Sequence, residues 1–207
     1  MNQVQETGMT RSRVSLVILA LIFITPIVFA FIVFKYRDLV PSETKNFGEL
    51  VVPARPLPEF NLTHKNGDAF TLEDMRRKWS YIYFIEDHCD DDCKLNLIKM
   101  RNARLGQGAE AQRVHYYLVF TAKPASMSDV DSLAKQHNKL TVLYGDRDKI
   151  QTLLSVFKTD DIGRVDQAKR VHMIDPIGNY MMFYNNDFKA IGIMEDLKFL
   201  LKSSQIG

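Results

Sequence analysis

The sequence predicts an α/β protein: a mixed sheet flanked by helices, preceded by one N-terminal membrane-spanning helix. Three observations carry this prediction. Apolar strand-like runs alternate with amphipathic helical stretches from residue 81 to residue 157, which argues for strands joined by helical crossovers. A strand–turn–strand pattern and a final amphipathic stretch close the chain, adding antiparallel strands and a last helix. The stretch from Val14 to Phe34 runs 21 residues without a charge. At about 1.5 Å per residue, that stretch spans roughly 31 Å, the thickness of a bilayer's hydrocarbon core.

The apolar run is too long for a cleaved leader, and "VFA" at 28–30 is a poor cleavage site, so it reads as an uncleaved anchor. Residues 1–13 then form a cytoplasmic tail. Arg11 and Arg13 at one end are nearly balanced by Lys35 and Arg37 at the other, so charge alone does not orient the helix. Pro41, Pro53 and Pro56 keep residues 35–57 extended, as a stalk leading to a domain over residues 58–203.

Within that domain, alternating apolar residues surround Lys65-Asn66-Gly67-Asp68, a hairpin signal. Thr71 and Asp74 stand at capping spacing for a short helix over 72–77. "YIYFI" (81–85) is continuously apolar, as a strand buried on both faces must be. A helix is predicted from the aspartates at 90–92 to about Arg104, with Leu95, Ile98 and Leu105 on one face and Gly106 ending it. Next come a strand (114–121), a helix (128–137, N-capped by Ser128), a strand (140–145) and a helix (148–157). A hairpin turning on Asp175-Pro176-Ile177-Gly178 and a helix over roughly 189–202 complete the order. A strand running straight into a cysteine-bearing helix, with a hairpin and helix closing the chain, is the layout of the thioredoxin fold.

Composition excludes more than it names. The chain has 207 residues, 46% of them hydrophobic and 25% charged, with a formal net charge of +2, and so gives no sign of a nucleic-acid partner. No Ser/His/Asp, phosphate-loop or zinc-finger pattern is present. The chemistry concentrates in "IEDHCDDDC", which holds the only two cysteines, Cys89 and Cys93. Residues i and i+4 of a helix share a face, so both sulfurs can meet as a disulfide or at one soft metal ion. Asp90, Asp91 and Asp92 suit a helix N-terminus, where they cap free N–H groups and oppose the dipole. With Glu86 and Asp87 they make five acids within seven residues, a field that should raise the thiol pKa values and favour a metal or a structural disulfide over fast thiol exchange. His64, His115 and His137 read as solvated surface, and His172 within "RVHMI" as a packed strand residue.

"YFIEDHCDDDC" resembles the Sco/SenC family of cytochrome oxidase assembly proteins, whose segment typically reads YFGFTHCPDxCP. Tyr83, Phe84, His88, Cys89, Asp91 and Cys93 fall on matching positions. "FNLTHKNGDAFTLEDMRRKWSYIYF" is similar to that family's first hairpin, helix and strand, and "VDQAKRVHMIDPIGNYMMFY" to its VDHxxxxYLIDPxGxxxxxY. The resemblance implies a thioredoxin-like domain tethered to the bacterial inner membrane, single-pass, with the domain in the periplasm. It implies copper as cofactor, Cys89 and Cys93 as thiolate ligands or redox thiols, and a cytochrome c oxidase subunit or another assembly factor as partner. The sequence departs from the family in placing Gln167 where the ligand histidine stands, and Asp90 and Lys94 where prolines stand. Two further readings remain: a metal-free thiol–disulfide oxidoreductase, and a binding scaffold with a structural disulfide.

Overall fold

The computed structural model describes residues 6–35, 46–145, 147–159, 161, 163–166, 168–204 and 206. The chain divides into two compact units, Met1–Lys45 and Asn46–Gly207. In the first unit, helix α1 (Glu6–Lys35) contains a 23-residue stretch, Arg13–Lys35, long and apolar enough to cross a membrane. Pro26 lies inside it, as membrane helices tolerate.

The second unit is built in chain order from β1 (Glu49–Pro56), β2 (Asn61–His64), β3 (Ala69–Thr71), α2 (Leu72–Met75), β4 (Trp79–Ile85), α3 (Asp91–Leu105), β5 (Val114–Phe120), α4 (Met127–Gln136), β6 (Leu140–Tyr144), α5 (Arg147–Phe157), β7 (Val171–Ile174), β8 (Asn179–Tyr184) and α6 (Ala190–Ser203). All eight strands form one sheet in the order β1-β8-β7-β4-β5-β6-β2-β3. β4, β5 and β6 run parallel, as strands joined by helices must. β7 is antiparallel to both β4 and β8.

Every residue of β4 is buried, because helices cover both faces of the sheet. Tyr81, Tyr83 and Ile85 point into a layer shared with Cys93, Leu97 and Met100 of α3 and Ile193 and Leu197 of α6. Ile82 and Phe84 point the other way, towards Leu153 and Phe157 of α5. The period-two alternation of a strand thus sorts the core into two layers and assigns the cysteines to the first.

Most predicted elements form, and their turns show why. Gly67 at φ 93° and Gly178 at φ 95° occupy the left-handed conformation their hairpins demand. The Asp74 carboxylate accepts from the Thr71 N–H at 2.8 Å and the Thr71 hydroxyl at 2.9 Å, fixing the short α2.

Three expectations change. Leu95, Ile98 and Leu105 are exposed, and the stripe of α3 that packs inward runs through Cys93, Asn96, Leu97, Met100 and Ala103. Asn96 sits in the middle of that stripe, and a polar residue there disguised its phase. Ser126, two residues before the expected cap, is the one that caps α4, accepting from the Asp129 N–H at 3.3 Å. Residues 49–56 of the expected stalk form β1, an edge strand beside β8, the place in a sheet where Pro53 and Pro56 cost little. Residues 36–45 of that stalk lie outside the described residues.

A buried carboxylate ties the start of this unit to its end. Asp196 of α6 is 5% exposed and accepts from the N–H groups of Phe47 (3.0 and 3.1 Å) and Gly48 (2.9 Å) and from the Tyr184 hydroxyl (2.9 Å). Gly48 and Gly192 make the approach possible, since a Cβ on either would collide with Met182 and Phe47 respectively. Asp196→Ala strands these donors in a dry site and should lower stability by about 2–4 kcal/mol, read as a drop in the urea midpoint with little change in slope. An unchanged midpoint would contradict this account.

Candidate functional site

β4 delivers the chain to the site and α3 organises it. Between them, Asp90 takes the N-cap position and its side chain accepts from the Cys93 N–H at 2.9 Å. Asp91 and Asp92 fill the first turn, at the positive end of the helix. Cys89 and Cys93 are joined as a disulfide, with Cα atoms 5.2 Å apart. The two sulfurs are unequal in access. Cys93 is 1% exposed and packed in the core layer, while Cys89 is only partly buried and lines a surface cleft.

The acidic cluster is not the open negative field that the sequence suggests. Lys169, from the loop before β7, reaches across to Asp90 at 2.8 Å and Asp92 at 2.5 Å. Arg164 of the same loop pairs with Glu86 at 2.9 Å and Asp166 at 2.8 Å. Asp91 pairs with Lys94 at 3.1 Å, and Asp87 with the His88 ring at 2.6 Å. Lys169 holds the Asp90 carboxyl below the usual carboxylate range, with the cap bond from Cys93 adding to the effect; in return Lys169 is raised. The Asp87 partner raises His88. What changes from the sequence reading is the field itself: the charge of these acids is offset on the spot by cations folded against them.

Below the rim, Asp166 is buried and accepts from the Thr121 hydroxyl at 2.5 Å. The Tyr83 hydroxyl meets the Asn96 amide at 3.4 Å, and Asn96 donates to Asn186 at 2.8 Å. Burial pushes the Tyr83 phenol up. Lys169, Arg164 and Thr121 were not singled out from sequence; Tyr83 was, through the resemblance. The signal was there for two of them: Arg164 and Lys169 in "RVDQAKR" are the complement of "EDHCDDD".

Of the histidines, His88 stands next to Cys89 in the cleft, and the others lie away from the sulfurs. His172 is fully buried in the opposite layer, where its ring lies against Phe84, Phe157 and Tyr180 and its Nδ1 is 3.1 Å from the Tyr180 hydroxyl. Burial lowers its pKa to about 3, so it is neutral. His137 is 3% exposed, against the expectation of a solvated residue, because it closes α4 over the core. His115 is half-buried and lowered to about 4. Gln167 lies outside the described residues. Among the described residues, no group of three or more His, Cys, Asp or Glu side chains is placed to hold a metal ion.

A central strand that runs directly into a helix whose first turn carries a disulfide defines a thioredoxin-like protein. The family described as transmembrane-like, thioredoxin-like, C-terminal domain matches residues 79–204. The chain belongs to that family, and the curated relatives it is similar to are Sco proteins. It is 27% identical over 155 residues to a SCO2-like protein of Rickettsia prowazekii, covering 67% of this chain and 74% of that one. It is 23% identical over 154 residues to the mitochondrial SCO1 homolog 1 of Arabidopsis thaliana, covering 67% of this chain but only 46% of the plant protein's length. Among solved structures, copper-bound ScoI of Arabidopsis thaliana superposes with a TM-score of 0.60 at 20% identity, over 72% of this chain and 99% of that one. BsSco, described as having a disulfide switch and as a member of the Sco family of cytochrome c oxidase assembly proteins, gives 0.56 at 16%, over 73% and 94%. At such identities the structural likeness is one of fold.

If Lys169 offsets the acids around the sulfurs, Lys169→Met should raise the pKa of Cys89 in the reduced protein and slow its alkylation by iodoacetamide at pH 7 by about threefold, with Lys169→Arg restoring the rate. Equal rates in wild type and Lys169→Met would show that the pairing is merely superficial.

Proposed function

We propose that this protein is a Sco-type accessory of cytochrome c oxidase assembly in which Cys89 and Cys93 work as an exchangeable dithiol–disulfide pair on the oxidised copper-site cysteines of an oxidase subunit. It is anchored in a bacterial inner membrane by α1, with the thioredoxin-like domain in the periplasm. The observation that carries this reading is the asymmetry of the disulfide: one sulfur accessible, the other buried in the first helical turn beneath it.

Exchange then has a defined order. The reduced Cys89 thiolate attacks one sulfur of the partner's disulfide, forming a mixed disulfide and releasing the partner's other cysteine as thiolate. Cys93 attacks Cys89 within the mixed disulfide, freeing the partner's first cysteine and closing Cys89–Cys93. Two electrons pass to the partner, and a dithiol reductant of the same compartment restores the pair. The helix N-terminus supports thiolate at Cys93, and Lys169 keeps the neighbouring acids from opposing it.

A second reading has a specific basis in the same geometry. Two thiolates one helical turn apart form a soft site suited to Cu(I) carried as cargo. Among the described residues no ready Cu(II) site of thiolates plus imidazole is formed: His172 faces the other layer, and no group of three or more His, Cys, Asp or Glu side chains is placed to hold a metal ion.

The test uses the full chain in detergent micelles. Equilibration in glutathione buffers should give one two-electron transition between about −300 and −120 mV, and Cys89→Ser or Cys93→Ser should each abolish it. Anaerobic Cu(I) titration against a chelator should show retention that is lost in each cysteine variant. A disulfide that never opens would leave only the scaffold reading. Tight Cu(II) binding with a thiolate-plus-imidazole spectrum would overturn the assignment of ligands.

A further inference from the structure

We infer that the cleft between the disulfide and α4 is the seat of the partner polypeptide, and that it selects an extended cysteine-bearing segment with an apolar residue beside the cysteine and a basic residue further along. The inference rests on the exchange reading above and names its substrate.

The disulfide has two flanks, and they differ. On one, Lys169 bridges Asp90 and Asp92, and the adjoining surface depression at Gly163, Ala168, Arg170 and Asn186 is touched by neither cysteine. On the other, Cys89 itself forms part of a cleft of about 520 Å³, within the range of ligand-binding clefts. Its floor is apolar, made by Phe120, Val130 and Leu133. Its rim is held in place: Thr121, Ala122 and Ala125 donate their N–H groups to the carbonyls of Ile85, Glu86 and Asp87 at 2.9, 3.0 and 2.8 Å, stitching the loop before α4 to the segment that leads into Cys89. A segment lying in this cleft brings its own cysteine to the accessible sulfur with no movement of Lys169.

Charge sets the rest of the specificity. Of the charged groups facing the cleft, Asp87 is engaged by His88 and Lys94 by Asp91. Asp129, exposed on the α4 wall, has no ion pair among the described residues. An approaching cation meets this carboxylate unopposed, which favours a basic side chain in the partner.

In the step this arrangement serves, a partner thiolate in the cleft attacks Cys89 Sγ, the Cys89–Cys93 bond breaks, and Cys93 departs as thiolate. The products are a mixed disulfide on Cys89 and a thiolate at the helix N-terminus. This is the exchange sequence run from its oxidised end, so it needs no further oxidant.

The experiment follows mixed-disulfide formation on the oxidised full chain in detergent, by mass spectrometry against time. Its probes are a blocked nonapeptide with one central Cys, a neighbouring Phe and a distal Lys, and dithiothreitol in parallel. Ser132→Trp fills the cleft from an exposed position of α4; Asp129→Lys reverses its charge; Ala168→Trp fills the opposite depression. Ser132→Trp and Asp129→Lys should each slow the peptide by about tenfold or more while leaving dithiothreitol within about twofold, and Ala168→Trp should change neither. Peptide rates unaffected by the two cleft variants, equal losses with both probes, or a selective loss in Ala168→Trp would each overturn the inference. No reaction of the wild type with dithiothreitol would instead refute the exchange reading on which it stands. Thermal unfolding of each variant accompanies the rates, and Asp129→Lys, which alters no packed residue, keeps the test decisive if Ser132→Trp is unstable.

Discussion

The Asp90 carboxylate does two jobs at one point of the chain, and the site depends on their coincidence. It caps α3 by accepting the Cys93 N–H, and it binds the ammonium of Lys169, from the loop before β7. The cap fixes where the helix begins, and so puts Cys93 in its first turn with Cys89 just ahead of it. The ion pair fixes the loop before β7 against that turn. Without the cap the sulfurs have no set register; without the lysine the same aspartates form an uncompensated negative field around a thiol pair. One surface pair contributes little to global stability, well under about 1 kcal/mol in typical cases. Its consequence here is local, in the charge felt by two sulfur atoms.

Much of this was legible in the sequence because it is local. The hairpins declare themselves through Gly67 and Gly178, the capping pair through Thr71 and Asp74, the buried central strand through an unbroken apolar run, and the nearness of the two sulfurs, though not their bond, through a spacing of four residues. Each signal lies within a few residues and obeys a short-range rule. The resemblance in "YFIEDHCDDDC" reached the fold by a second, independent route.

What was not legible was set by contacts distant in sequence. The buried stripe of α3 was misphased because Asn96, polar by type, is satisfied by Tyr83 and by Asn186, 90 residues on. Residues 49–56 looked like stalk because prolines argue against strands, and only the sheet order reveals that β1 is an edge, where a missing N–H costs little. His137 read as surface because nothing local says that the end of α4 folds over the core. The acidic cluster read as open because its cations arrive from Arg164 and Lys169. Charge runs in sequence define a field only after folding has shown what opposes them.

The same reasoning bears on the metal. A soft-metal site made from cysteines alone is formed by local sequence, and the i, i+4 pair supplies it. A harder site needs an imidazole too, and the fold commits its nearest strand histidine to the other layer: β7 alternates, so Val171 and Met173 face the cysteine side while His172 packs among Phe84, Phe157 and Tyr180. Turning His172 round would take a one-residue slip of β7, which would bury Arg170 and move Met173 out of the cysteine layer along with it. The sheet therefore holds this histidine away from the sulfurs as firmly as it holds the sulfurs together.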